Sequence, residues 1–219
     1  SSAERTERTS TQPMLRFRNY FRTEKCNGLL KIGVSLISRD NARLHLDREL
    51  RGGFDAVVAR TRREWEGLMK RIEINASENV KRIFYTGIYH ALLCPRELTE
   101  CDGRHYSGVD DRVHNGTGWT CFSLWDTYRA AHPLYTLLVP ERVDGMMRAL
   151  VDMSRRGGCL PLHPNPGYTG QMVGGPAEVV LAEAAVKGFR GFDIHAAWEA
   201  VLRNAQMPQP EDLSRRWPG

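Results

Sequence analysis

No stretch of this 219-residue chain approaches the ~18 apolar residues that a membrane span needs, and no membrane partner is expected. There is no basic stretch followed by an apolar one, so no secretory leader is visible. The chain does not begin with Met, so an upstream segment is expected and the compartment stays open. Cysteine is scarce. The five thiols, at Cys26, Cys94, Cys101, Cys121 and Cys159, are irregularly spaced with no CxxC pair. That spacing excludes the usual structural-zinc framework and points to reduced thiols. A concentrated excess of one charge is also missing. The net charge is +5, yet most arginines have acidic neighbours, as in Asp47-Arg48-Glu49 and Arg62-Arg63-Glu64. The local basic excess is confined to the termini and Arg155-Arg156, so no nucleic-acid partner is expected. No repeat recurs at a fixed period, which excludes a helical solenoid. Composition leaves the oligomeric state open.

What remains is an ordinary folded composition, 41% hydrophobic and 26% charged, long enough for one domain or one and a half. Ser1 to Gln12 is too polar to bury a core and is expected to be disordered. Leu15-Arg16-Phe17-Arg18 alternates apolar and polar. Leu29 to Ser38 is apolar and β-branched, which predicts a well-buried strand. Two strands cannot make a stable sheet alone, so partners are required.

After Ser38 the pattern turns helical. Leu44, Leu46 and Leu50 follow Asn41, and Gly52-Gly53 ends that element. Phe54, Val57, Val58, Trp65, Leu68, Met69 and Ile72 mark a long amphipathic helix with Trp65 in the core. A third helix starts at Ser77 as N-cap and stops before Pro95. It is apolar nearly all round, which predicts burial on more than one side. Its Tyr85, Tyr89 and His90 are either pocket groups or core residues with satisfied hydroxyls; the core reading is the simpler. Sequons stand at Asn75-Ala76-Ser77 and Asn115-Gly116-Thr117.

Residues 100–108 are rich in turn formers, and Asp102-Gly103 is a hairpin signal. Asp102, Asp110 and Asp111 offer the oxygen ligands that calcium takes, but without EF-hand spacing a solvated loop is the better reading.

The stretch from Gly118 to Arg129 then combines Trp119, Phe122, Trp125 and Tyr128 with Asp126 and Arg129. A flat ring for the C–H face of a sugar, a carboxylate and a guanidinium for its hydroxyls make a carbohydrate site. The competing reading is a core tryptophan, a first-turn aspartate favoured by the helix dipole, and Arg129 as the ion-pair partner of Asp126. A helix follows, with Pro133 expected to kink it. The next runs from Pro140-Glu141 to Gly157-Gly158 and carries Val143, Met146, Met147, Leu150, Val151 and Met153. Further helices are predicted from Pro176-Ala177-Glu178 to Gly188 and from Asp193 through Val201. Helices joined by motif-bearing loops fit an α/α toroid.

Phe122-Ser123-Leu124-Trp125-Asp126-Thr127-Tyr128-Arg129, with His132-Pro133-Leu134 and Pro140-Glu141-Arg142, resembles the signature of glycoside hydrolase family 92, the calcium-dependent, inverting, exo-acting α-mannosidases. Phe84-Tyr85-Thr86-Gly87-Ile88-Tyr89 with Pro95 is similar to the first barrel helix of that family, and Ile32 to Ser38 to the last strand of its N-terminal β-sandwich. The resemblance covers roughly Arg16 to Arg203. It implies a mainly α chain, part of an (α/α)6 toroid preceded by sandwich strands. The implied division is a tail over 1–13, the end of the sandwich over 14–38, a helical linker over 39–76, and the first part of the catalytic domain over 77–219.

Trp125 and Asp126 match positions that hold the terminal mannose in the family, and Arg129 matches the same motif; the three are the implied substrate-binding residues. The implied substrate is an α-1,2-linked mannose of N-glycan-like oligosaccharides, and Ca2+ is expected for the full-length enzyme, with its ligands outside this chain. An inverting glycosidase needs an acid and a base roughly 6.5–9.5 Å apart. The family's acid lies in a Gly-Asn-Glu-Pro motif and its base in an Asp/Gly-rich loop, and neither motif occurs before Gly219. No catalytic residue is therefore assigned, and the polypeptide alone is expected to hydrolyse nothing. The alternative is a catalytically dead helical carbohydrate-binding or scaffold protein. A more distant one is another toroidal glycosidase, for which Glu178 and Asp126 are the nearest acids. Departures stand at Cys159, where the family has an aromatic after a double glycine, and at Gly175-Pro176, where it has Asp or Asn and then His.

Overall fold

The computed structural model describes residues 30–206. The expected tail, the strand at Leu15 to Arg18, Cys26 and the segment beyond Gln206 lie outside them. The chain divides into a unit of residues 1–31, of which only Leu30 and Lys31 are described, and a unit from Ile32 onward. Within the second unit the helices are α1 (Arg39–Glu49), α2 (Phe54–Met69), α3 (Glu78–Ala91), α4 (Leu124–Thr127), α5 (Ala131–Leu138), α6 (Pro140–Gly157), α7 (Pro176–Val186) and α8 (Ile194–Gln206). The short strands are β1 (Arg96–Glu97), β2 (Arg104–Ser107), β3 (Arg112–Asn115) and β4 (Trp119–Thr120). The described residues are mainly helical, as the sequence predicts.

The predicted boundaries follow local chemistry. Ser38 caps α1 by accepting from the Asn41 N–H at 3.1 Å. Pro140 opens α6, where its missing N–H costs nothing, and Gly158 closes it in the left-handed region at φ 89°. Asp193 caps α8 by accepting from the Ala196 N–H at 3.0 Å. Ser77 stands in the N-cap position of α3, though its hydroxyl makes no capping bond.

Helix α6 is the centre of the packing. Val143, Met146, Met147, Leu150, Val151 and Met153 are all buried, and α5, α7, α8 and β4 lie against it. β1 pairs antiparallel with β4, and between them β2 pairs with β3. This small β insertion sets Trp119, the first residue of β4, against the core.

The structure departs from expectation at several places. Residues 32–38 form no strand, and Ile32, Val34 and Leu36 are more than half exposed. Their alternation is that of a strand, but the described residues supply no neighbour to pair with. The Leu36 N–H bonds the Glu100 carboxylate instead. Helix α3 buries one side only: Ile88 is buried while Ile83 is 74% exposed. The Trp65 side chain, expected in the core, is only partly buried; it packs against the edge of the core and meets the Tyr89 ring at a tilt of 51°. Asp102-Gly103 is not the hairpin turn; the chain reverses at 108–111, with Asp111 at φ 55°. Pro133 kinks nothing. The helix breaks after α4, and Pro133 falls in the first turn of α5, where no intrahelical N–H is required.

A buried polar knot ties the start of this unit to the β insertion. Ser35 Oγ donates to Glu100 at 2.7 Å, Asn41 Nδ2 at 2.9 Å and the Leu36 N–H at 2.9 Å. Burial would raise the Glu100 pKa, but the hydrogen bonds from Ser35, Asn41, the Leu36 N–H and His45 outweigh it and hold it below the ordinary value. Its stabilisation is therefore present above the unfolded carboxylate range and lost as pH falls below it. Glu100→Gln turns an acceptor-only group into one that also presents donors to donors. It is expected to cost about 1–3 kcal/mol, read by urea unfolding at neutral pH.

Candidate functional site

Cys121 and Ser123 lie in the left-handed region, at φ 55° and 45°. Non-glycine residues are uncommon there. Together they turn the backbone so that Phe122 between them is fully buried. Several bonds hold this path. The Cys121 N–H donates to the Pro164 carbonyl at 3.1 Å, and Thr127 Oγ1 donates to the Phe122 carbonyl at 2.9 Å. Cys121 Sγ also reaches Asn165 Oδ1 at 3.1 Å.

The single turn of α4 that follows carries Trp125 and Asp126, and Arg129 stands two residues beyond its end. Trp125 is 39% exposed, and Asp126 and Arg129 are exposed beside it. The Arg129 guanidinium carbon lies 4.6 Å from the Tyr128 ring centre and 5.7 Å from that of Trp125. Arg129 is thus held by cation–π contact and makes no ion pair with Asp126, unlike the competing reading of the sequence. The Asp126 N–H is spent on the Ser123 carbonyl at 2.9 Å, and its carboxylate faces outward. The stretch from Trp125 to Arg129 therefore presents a ring, an anion and a cation together. That set can stack on a sugar, accept from its hydroxyls and donate to them.

The other candidates are distributed elsewhere. Tyr85 donates to the Ile72 carbonyl at 3.0 Å, in agreement with its core reading. Asp102 is taken by Arg104 and Asn41, which hold its pKa down at about 2. Asp110 pairs with His114, and Asp111 accepts from Tyr106. These three carboxylates are committed to separate partners. Cys159 is buried, so at this departure the side chain fills the core. Gly175 precedes α7, and a Cβ there would fall 2.9 Å from the Glu178 carboxyl. Glu178 itself accepts from Asn204 Nδ2 at 2.8 Å. An open groove of about 480 Å³ runs along α2 between Val57, Trp65 and Met69, and none of the three candidate residues lines it. Sequence reasoning missed the Glu100 knot, because nothing local marks Ser35, Asn41 and Glu100 as neighbours.

The model of the glycosyl hydrolase family 92 catalytic domain matches residues 41–217. The chain belongs to glycosyl hydrolase family 92. No curated protein matches it in sequence. Among solved structures, a family GH92 inverting mannosidase of Bacteroides thetaiotaomicron VPI-5482, BT2199, is 31% identical with a TM-score of 0.77, over 81% of this chain and 25% of its own. The GH92 α-mannosidase BT3965 of Bacteroides thetaiotaomicron is 30% identical with a TM-score of 0.75, over 80% of this chain and 25% of its own. The same BT3965 in complex with mannoimidazole aligns at 31% identity with a TM-score of 0.75, over 83% and 24%. This family 92 chain thus spans about a quarter of the length of the structures it matches.

Proposed function

We propose that this chain is part of an exo-acting, inverting α-1,2-mannosidase acting on mannose-containing oligosaccharides of the N-glycan type. Trp125, Asp126 and Arg129 hold the terminal mannose. Trp125 packs on the apolar face of the ring, Asp126 accepts from hydroxyls, and Arg129 donates to them. The observation that carries this reading is the exposed α4 turn, held out from the core by the buried Phe122, in a chain of family 92. The division follows the resemblance: the end of a β-sandwich over 14–38, a linker over 39–76, and the first part of an (α/α)6 toroid from residue 77. The exposure of Ile83 on α3, Leu137 on α5 and Val186 on α7 fits helices that pack against further helices of such a toroid.

The acid, the base and the calcium ligands are supplied by sequence that this chain does not contain. Calcium, if bound there, would supply electrostatic stabilisation. This chain supplies orientation. The polypeptide alone therefore binds mannosides and hydrolyses none.

Titration of the chain with α-1,2-mannobiose, followed by calorimetry, tests the site. Asp126→Ala is expected to weaken binding roughly ten-fold or more, the loss of hydrogen bonds to a charged group, and Trp125→Ala to weaken it similarly. Unchanged affinity in both variants would remove the site. A mannoside turnover that survives repurification would instead remove the claim of inactivity.

A further inference from the structure

We propose that His45, Glu49 and Cys101 form a binding site for a divalent metal ion of the zinc class, separate from the mannose-holding turn. His45 and Glu49 stand at i and i+4 on α1, so their side chains share one face. Cys101 comes from the loop before β2. One donor atom from each residue lies within 4.8 Å of the other two. His45 Nδ1 and Glu49 Oε1 are 2.8 Å apart. A tetrahedral ion with bonds of about 2.0–2.3 Å holds its donors roughly 3.5 Å apart. The trio reaches that spacing by rotamer adjustment of Glu49, whose side chain is 55% exposed.

The donor set selects the ion. Calcium and magnesium take oxygen ligands, whereas an imidazole nitrogen, a thiolate sulfur and one carboxylate suit Zn2+ and its neighbours. A neutral imidazole with two anions balances a dication, and a fourth position stays open to water. The spacing rules that read zinc from paired cysteines pass over this arrangement, because its only thiol stands far from α1 in sequence.

A second observation separates this trio from an ordinary surface ion pair. The far nitrogen of the ring, His45 Nε2, lies 3.2 Å from Glu100 Oε2. Glu100 is buried and fixed by Ser35, Asn41 and the Leu36 N–H. A carboxylate behind a histidine fixes its tautomer and turns the other nitrogen outward, as in metal sites generally. On the other side, Arg48 Nη1 donates to the Cys101 carbonyl at 2.8 Å and pins the backbone that carries the thiol. A His45–Glu49 ion pair alone accounts for neither support. The bound ion would clip α1 to the loop before β2.

Cobalt titration of the metal-free full chain tests this. Co2+ is expected to give a thiolate-to-cobalt charge-transfer band and the visible d–d bands of a tetrahedral site, saturating at one equivalent. Cys101→Ser abolishes the charge-transfer band, while Cys26→Ser, Cys94→Ser and Cys121→Ser keep it. Glu100→Gln, acting through His45, lowers the affinity roughly ten- to hundred-fold with the band shape kept. Zn2+ at a hundred-fold excess over its Kd raises the unfolding midpoint by roughly 5–10 °C, and that rise is absent in Cys101→Ser. No charge-transfer band in the parent chain, a band that survives Cys101→Ser, or unchanged affinity in His45→Ala overturns the proposal.

Discussion

Phe122→Ala is expected to lower the unfolding free energy by about 3–5 kcal/mol and to weaken mannobiose binding at Trp125 with it. Phe122 is fully buried and heads the largest side chains that are. It sits between two non-glycine residues in the left-handed region, a conformation that costs roughly 1–2 kcal/mol per residue. That cost is sustained because the turn delivers the Phe122 ring to the core and sends Trp125 out. Without the ring, the cavity and the strain act in the same direction. The turn is expected to relax and take Asp126 and Arg129 with it. Phe122→Leu keeps most of the apolar volume and should cost under about 1.5 kcal/mol with binding nearly intact. Urea unfolding and mannobiose titration of the pair decide the matter. An alanine variant as stable as the leucine variant would refute the anchoring role of the ring.

That anchor explains why the geometry of the candidate site was only half legible in the sequence. The pattern from Gly118 to Arg129 announces aromatics and charges together, and Trp125, Asp126 and Arg129 do share one exposed stretch. Which aromatics face inward was not readable. Periodicity assumes a regular backbone, and the left-handed residues at Cys121 and Ser123 reset it. The helices were legible where caps and apolar spacing agree, as at α6, which begins at Pro140 and ends at Gly157. Faces were less so. A helix with apolar residues all round, such as α3, reads as buried everywhere, but burial needs a neighbour, and the neighbour is not encoded in the helix. The same holds for Ile32, Val34 and Leu36, which have the alternation of a strand without a pairing edge among the described residues. The hairpin turn was misplaced because Asp102-Gly103 is the stronger local signal, yet the β2–β3 register closes at 108–111. The Ser35–Asn41–Glu100 knot was invisible, since its members are distant in sequence.

His132, on α5 and packed against the same anchor, should make the chain acid-sensitive. Its ring stacks on Phe122 with centres 6.1 Å apart and planes inclined by 10°, and meets Tyr135 edge-on at 5.3 Å. It is 4% exposed, and its Nε2 is buried with no hydrogen-bond partner. Burial alone pushes its pKa down from 6.5 to about 4. The unfolded chain therefore binds a proton at a pH where the folded chain does not. The stability tied to neutral His132 is complete above the unfolded pKa and is lost as pH falls from 6.5 towards 4. Over that window the loss is about 3 kcal/mol. His105, also depressed by burial, and the carboxylate Glu100 act in the same direction, so the His132 share is read by difference. His132→Leu should leave the remaining pH dependence and remove about 3 kcal/mol of it between pH 7 and 4, measured by urea unfolding at each pH. Parallel curves for the two proteins would exclude His132 as the source. Because the imidazole lies against Phe122, the effects of Phe122→Ala and His132→Leu should not add. A cycle of the two is expected to show a coupling of about 0.5–3 kcal/mol, since the cavity left by the phenyl ring admits water to the imidazole and returns its pKa towards the ordinary value.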